Sequence, residues 1–248
     1  MINQLSGKSY IDVLYFSLVL GYSSLPELYL QMITQLRKNP TAISVCPCCN
    51  QKDMEWELFA SYFRTVIDLV PCMENGEYCR EEDGTIMFET DPEKCTFRME
   101  IKRIKCMNCA SGDTSGKPKC HTHAVLGSLL VPYLRHSIRF IVYHLYKMSR
   151  SGKTMQEYCT ANLINVSDVK KWTDWLNDAI PALIALRLLP EEVNSCSDTR
   201  EQLKKVVRYI YEHFTEFYSA VFLNLKKVMF QRHAMPPFTR YFPDSAVS

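Results

Sequence analysis

The chain has 248 residues, 47% of them apolar and 23% charged, which excludes a disordered polypeptide and leaves enough side chains for a real core. No apolar run reaches the about 18 residues of a membrane span; the longest, Val13 to Leu20, is interrupted by Ser17. A formal net charge of +2 does not by itself point to nucleic acid.

In chain order, residues 1–40 read as an N-terminal helical cap. Tyr10 to Tyr22 is apolar enough for a buried helix. Ser24 is placed to cap a second helix, with Pro26 in its first turn. Leu28, Met32, Ile33 and Leu36 share a face, and Asn39-Pro40 stops it. Residues 41–110 read as β-rich, within a unit spanning 41–125. Glu55 to Leu69 has a strand composition, and Thr96 to Lys105 alternates apolar and basic side chains. Between them lies an acidic, turn-rich insertion, 73–95, with Thr85 to Glu89 as a short strand. Ser111 to Lys119 reads as a loop.

From Leu126 the pattern is helical. Residues 126–180 form one helical region and 181–248 the C-terminal helices and tail. A helix is expected from Val131-Pro132 through Ser149, then a short one over Met155 to Leu163. The latter is capped by Thr154, with Glu157 three residues on. Asn165-Val166-Ser167 reads as turn and cap before a helix over Val169 to Leu176. An apolar helix follows over Pro181 to Leu189, and a long one over Arg200 to Gln231.

The strongest chemical signal is a split cysteine pair, Cys46-Pro47-Cys48-Cys49 and Cys106-Met107-Asn108-Cys109. Each half can present two thiolates on one tight knuckle, and four sulfurs suit tetrahedral zinc. Cys46, Cys49, Cys106 and Cys109 are the expected ligands. Four cysteines leave no open position for water, so the metal is expected to be structural. Eleven cysteines, an odd number, fit a disulfide framework poorly. The polar start (Asn3, Gln4, Ser6, Lys8) is unlike a secretory signal, so a reducing cytoplasm is expected. Cys48 could replace a neighbouring ligand. Cys72, Cys79, Cys95 and Cys120, with His121 or His123, are candidates for a second metal site.

Charge is unevenly distributed. Thr114 to Gln156 contains no Asp or Glu but carries Arg135, Arg139, Lys147, Arg150 and Lys153. These are candidate phosphate contacts. The two helices over Met155 to Asn177, joined by a tight turn, have a helix-turn-helix outline. The second would offer Ser167, Asp168, Lys170, Lys171, Thr173 and Asp174 to solvent, with Val169, Trp172 and Leu176 inside. Ser167, Lys170 and Lys171 are the candidate groove contacts. Asn165 stands where a turn glycine is common. There is no Gly-rich phosphate loop, no H-E-x-x-H and no serine elbow, and no catalytic role is expected.

These ordered residues resemble a family. The series is Cys46-Pro47 to Cys49, Arg64-Thr65-Val66-Ile67-Asp68 and Ile101 with Arg103-Ile104-Lys105-Cys106 to Cys109. It continues with Thr122-His123-Ala124-Val125-Leu126, Val131-Pro132-Tyr133 and Ser137-Ile138-Arg139-Phe140-Ile141. It is similar to a bacterial zinc-ribbon and helix-turn-helix family of unknown function, which itself looks like the N-terminal region of insertion-sequence transposases. The resemblance covers roughly 42–178. It implies zinc at the four cysteines and DNA contact from the helical part. The chain departs from the pattern by the acidic insertion after Asp68 and by the 111–120 loop.

The expected fold is therefore α+β: a zinc ribbon, as a small antiparallel β unit, flanked by an N-terminal helical pair and a larger C-terminal helical region with a helix-turn-helix. The expected function is zinc-stabilised DNA binding, transposase-related or regulatory. The alternatives are a protein-interaction module acting through residues 73–95 and an accessory subunit of a recombinase.

Overall fold

The structure is a computed structural model, and it describes residues 24–38, 55–82, 84, 86–107, 122–125, 130 and 134–213. The expected helix over Tyr10 to Tyr22, the first cysteine knuckle, the 111–119 loop and everything after His213 lie outside the described residues.

The architecture is α+β. Its sheet is built on one long antiparallel pair, β1 (Trp56–Ile67) against β4 (Thr96–Cys106), with β5 (Thr122–Ala124) added antiparallel beside β4. Val66 of β1 and Met99, Ile101 and Ile104 of β4 are buried, with Trp56, Leu58 and Tyr62 packed partly against them. Helix α1 (Leu25–Lys38) buries Leu25, Leu28, Tyr29, Met32 and Ile33 in the same core, as its periodicity predicts. Its Tyr29 ties the sheet together. The hydroxyl accepts from the Lys102 amide at 2.8 Å and donates to the Val125 carbonyl at 2.7 Å. Burial raises the pKa of that phenol, so it stays a donor.

The insertion is folded. β2 (Met73–Glu74) and β3 (Glu77–Tyr78) form a hairpin around Asn75 and Gly76, both at positive φ, as an Asn-Gly two-residue turn requires. The Thr85 to Glu89 segment contributes only isolated bridges at Ile86 and Phe88. Three backbone bonds close a ring there: Cys72 donates to Met87, Met87 to Cys79 and Cys79 to Cys72, at 2.9, 2.9 and 3.0 Å.

The helical part is organised on α2 (Ile138–Arg150), in which Ile138, Phe140 and residues 141–146 are all buried. It starts later than Val131-Pro132. Leu134 to Ser137 runs extended instead, because Ser137 is already bonded to β1: its amide donates to the Ile67 carbonyl at 2.9 Å. α3 (Met155–Ala161) carries the expected capping box. Glu157 accepts from the Thr154 amide at 2.8 Å, and Thr154 Oγ1 accepts from the Glu157 amide at 3.3 Å.

α4 (Val166–Ala185) corrects the expectation of two helices: it runs through Pro181 without a break. The proline removes one helical donor, but Ile180 and Leu183 on either side of it are buried, and that packing holds the helix together. A short turn, α5 (Glu191–Asn194), leads to α6 (Thr199–Glu212), capped by Asp198. α6 is described to Glu212, with His213 as C-cap, and the rest of the helix expected to reach Gln231 lies outside the described residues. It packs Val206, Val207 and Ile210 into the core.

Sheet and helices meet at Asp68, which is fully buried. Arg139 Nε donates to its Oδ1 at 2.7 Å and a second guanidinium nitrogen donates to Oδ2. The Ser137 hydroxyl also donates to Oδ1. Breaking a buried ion pair from one side costs roughly 3–5 kcal/mol, because the remaining charge stays buried without its partner. Arg139→Met is expected to lose about that much stability in urea unfolding. The double variant Arg139→Met with Asp68→Leu should recover part of it. Equal loss in both would mean that the pair is not what is being disrupted.

Candidate nucleic-acid interface and cysteine knuckle

Of the four expected zinc ligands, Cys46, Cys49 and Cys109 lie outside the described residues, as do Cys48, Cys120 and His121. Cys106 is the last residue of β4 and pairs in register with Trp56 at the start of β1. The Met107 amide donates to the Glu55 carbonyl at 2.9 Å, so the strand pair is locked where the second knuckle begins. In sequence, Cys49 precedes Trp56, the first residue of β1, by seven positions.

Among the described residues no three His, Cys, Asp or Glu side chains gather as a metal would need. Cys72, Cys79 and Cys95 are free thiols. Cys95 is buried and donates to the Glu89 carbonyl at 3.4 Å; desolvation pushes its pKa up to about 11. Burial, then the nearby Glu89 carboxylate, raises the Cys72 pKa as well. His123 lies in β5, where only its backbone is described.

The carboxylate-free stretch does not form one open basic face. Arg139 is committed to Asp68. Lys147 is bonded to Glu81 of the insertion. Arg135 reaches Asp168 at 3.5 Å. Arg150 donates to the Tyr146 hydroxyl at 2.7 Å, with its guanidinium 5.5 Å from that ring centroid. Counting charges within a sequence window misses this, because Asp68 and Glu81 enter from the sheet and the insertion.

The α3–α4 pair keeps its expected inside: Val169, Trp172 and Leu176 are buried. In the turn, the left-handed residue is Leu163, at φ 55, not Asn165, which instead caps α4 by accepting from the Ser167 amide at 2.9 Å. Lys153, Ser167, Lys170, Lys171 and Asp174 face solvent. Asp168 lies between Arg135 at 3.5 Å and Lys171 at 4.0 Å, so its charge is offset locally.

A pocket of about 320 Å³ opens between the insertion and α2, lined among others by Glu81, Phe88, Tyr143, His144, Lys147 and Tyr158. His144 is buried, with Nδ1 3.1 Å from the Tyr158 hydroxyl. Desolvation lowers its pKa to about 3, so the imidazole is neutral near neutral pH. The Tyr158 phenol is shifted upward by burial. At the other end of α2, desolvation lowers the His136 pKa to about 4; its ring meets Trp172 edge-on at 4.9 Å.

A third feature escaped sequence reasoning. Phe59 and Phe63 of β1 face solvent, although they look like ordinary strand-forming residues in the sequence. Only the register of β1 against β4 shows which side of the sheet they occupy.

No family model matches the chain, no curated protein matches its sequence and no solved structure matches its fold. Among the described residues no helix is long and apolar enough to cross a membrane.

Both histidines have pKa values depressed below the unfolded value of about 6.5. Above that pH both states are neutral and the histidines impose no cost. As pH falls through it, the unfolded chain gains protons that the folded one refuses, until about 4 for His136 and about 3 for His144. The urea midpoint is expected to drop between about pH 6.5 and 5, before most carboxylates titrate. His144→Asn should flatten that slope; an unchanged slope would assign the effect elsewhere.

Proposed function

We propose that the chain is a zinc-stabilised DNA-binding protein, transposase-related or regulatory, without a catalytic site of its own. Its membership of the zinc-ribbon and helix-turn-helix family it resembles is part of the same proposal. The observation that carries it is the α3–α4 pair: a capped short helix, a four-residue turn and a long helix whose first turns present Ser167, Lys170 and Lys171 to solvent. Arg135 and Lys171 offset the charge of Asp168 on this face, while Asp174 stays exposed on it. Arg135, Arg150 and Lys153 are exposed beside it and would hold the backbone. Arg139 and Lys147 serve the fold instead.

Zinc would be held by Cys46, Cys49, Cys106 and Cys109, a four-thiolate donor set that suits the ion. The locked end of the β1–β4 pair supports this, since Cys106 ends β4 there, opposite Trp56. The metal would close the ribbon and supply no chemistry. A protein partner on the insertion remains the second reading, favoured by the exposed Glu74, Glu77, Glu82, Asp91 and Glu93.

A labelled duplex followed by fluorescence anisotropy tests the first reading. Affinity should fall steeply between about 50 and 200 mM salt. Lys170→Gln with Lys171→Gln should weaken binding roughly tenfold and lower the salt slope by about 2. No binding at low salt, or none of the loss in the double variant, would sink it. Cys106→Ser should release the zinc found in the purified wild type by elemental mass spectrometry, together with the β-unit's protection from proteolysis.

A further inference from the structure

The pocket between the insertion and α2 holds polar atoms that the fold does not use. Tyr143 is 9% exposed and His144 6%, and both line the cavity. The Tyr143 hydroxyl has no hydrogen-bond partner among the described residues. His144 uses Nδ1 for the Tyr158 hydroxyl at 3.1 Å, and its Nε2 has no partner among them. A hydroxyl or imidazole taken out of water costs free energy unless something replaces the water. Neither atom is walled off by protein, so whatever fills the cavity reaches both.

The walls are rings. Phe88 of the insertion meets Tyr143 edge-on at 4.9 Å, His144 meets Tyr143 edge-on at 5.1 Å, and Tyr158 meets His144 edge-on at 6.2 Å. Edge-on contact leaves ring faces that do not cover one another. The rim is charge-balanced where the insertion reaches it: Glu81 is bonded to Lys147, and Glu89 to Lys94 at 3.2 Å. On the α2 side Arg150 also lines the mouth, with one donor on the Tyr146 hydroxyl. Burial raises the Tyr143 pKa and lowers that of His144, so both groups are neutral near neutral pH. The floor therefore suits a neutral, flat ring with a hydrogen-bonding edge better than an ion.

We propose that this pocket binds a nucleoside, with the base against the rings and its edge bonded to Tyr143 and His144. A base edge sets donors beside acceptors, and proteins hold an unpaired base by that edge and by its faces. The Tyr143 hydroxyl both donates and accepts, and a neutral imidazole presents at Nε2 the role opposite to the one it plays at Nδ1. The sugar would lie at the rim, where the Glu81 and Glu89 carboxylates can accept from its hydroxyls. At about 320 Å³ the cavity falls within the range of about 300–1,000 Å³ usual for small-ligand sites. It is far larger than the about 30 Å³ of a water. A sugar alone lacks the flat edge, and an amino acid would bring two full charges to a neutral floor. The inference does not rest on the DNA-binding reading, since none of these groups belongs to the exposed face of α4.

The test is isothermal titration calorimetry of the full chain with adenosine, guanosine, cytidine and uridine, each also as its 5′-monophosphate. At least one nucleoside is expected to bind with a Kd below about 1 mM. Tyr143→Phe deletes only a hydroxyl without a partner, so circular dichroism should match wild type while affinity falls roughly fivefold. His144→Asn keeps a polar group near Tyr158 but removes Nε2, and a similar loss is expected. Ser151→Trp, at the exposed rim, should block binding. Lys170→Gln with Lys171→Gln should leave nucleoside affinity unchanged, whatever it does to DNA binding. A monophosphate that binds tighter than its nucleoside, with the same losses in the variants, would uphold the pocket and make a nucleotide its source.

Three results would overturn the inference. One is that no compound of the panel binds below about 1 mM. Another is affinity unchanged in both Tyr143→Phe and His144→Asn. The third is binding that survives Ser151→Trp intact.

Discussion

The fold depends on one buried carboxylate. Asp68 sits just past the end of β1, with its amide bonded to the Cys95 carbonyl at 3.0 Å, and it receives Arg139 and Ser137 from the start of α2. A buried charge is tolerated only when its partners are fixed in geometry. Here they are: Ser137 also caps α2 by accepting from the Phe140 amide at 3.1 Å. The same hydroxyl thus starts the helix and fastens it to the sheet. The extended stretch from Leu134 to Ser137 follows from this, since it must bridge to Ile67 before the helix can begin.

That constraint also reallocates charge. A guanidinium spent on Asp68 and an ammonium spent on Glu81 are no longer available to a ligand. The outward electrostatics of the helical region are therefore set by fewer groups, Arg135, Arg150, Lys153, Lys170 and Lys171, than the sequence suggests. Lys147 also straps the insertion to α2 beside Tyr143, with Nζ 6.0 Å from that ring. The acidic segment is thus a docked element and not a loose tail.

Much of the architecture was legible because it rests on short-range patterns. The β1 and β4 strands, the Thr154–Glu157 capping box, the Asn165 cap and the buried stripe Val169, Trp172, Leu176 all follow from periodicity and local hydrogen-bonding chemistry. What was not legible depends on partners distant in sequence. Pro181 read as a helix boundary because the buried neighbours that hold α4 through it cannot be seen locally. Val131-Pro132 read as a helix start because nothing nearby announces the bridge to β1. Arg139 read as a phosphate contact because Asp68 lies far back in the chain. Phe59 and Phe63 read as strand filling because a strand's two faces are equivalent until its register is known.

The hairpin tip at Asn75-Gly76 has a practical consequence. A side chain built on Gly76 would meet nothing within 4 Å, and the turn is exposed on both sides. Its conformation depends on positive φ and not on packing. The insertion is anchored instead through Glu81 and the ring of backbone bonds at its base. A short tag or fluorophore spliced in at this tip would therefore displace no packed neighbour at Gly76. It would give a built-in reporter of whether the insertion stays docked through Glu81 and Lys147.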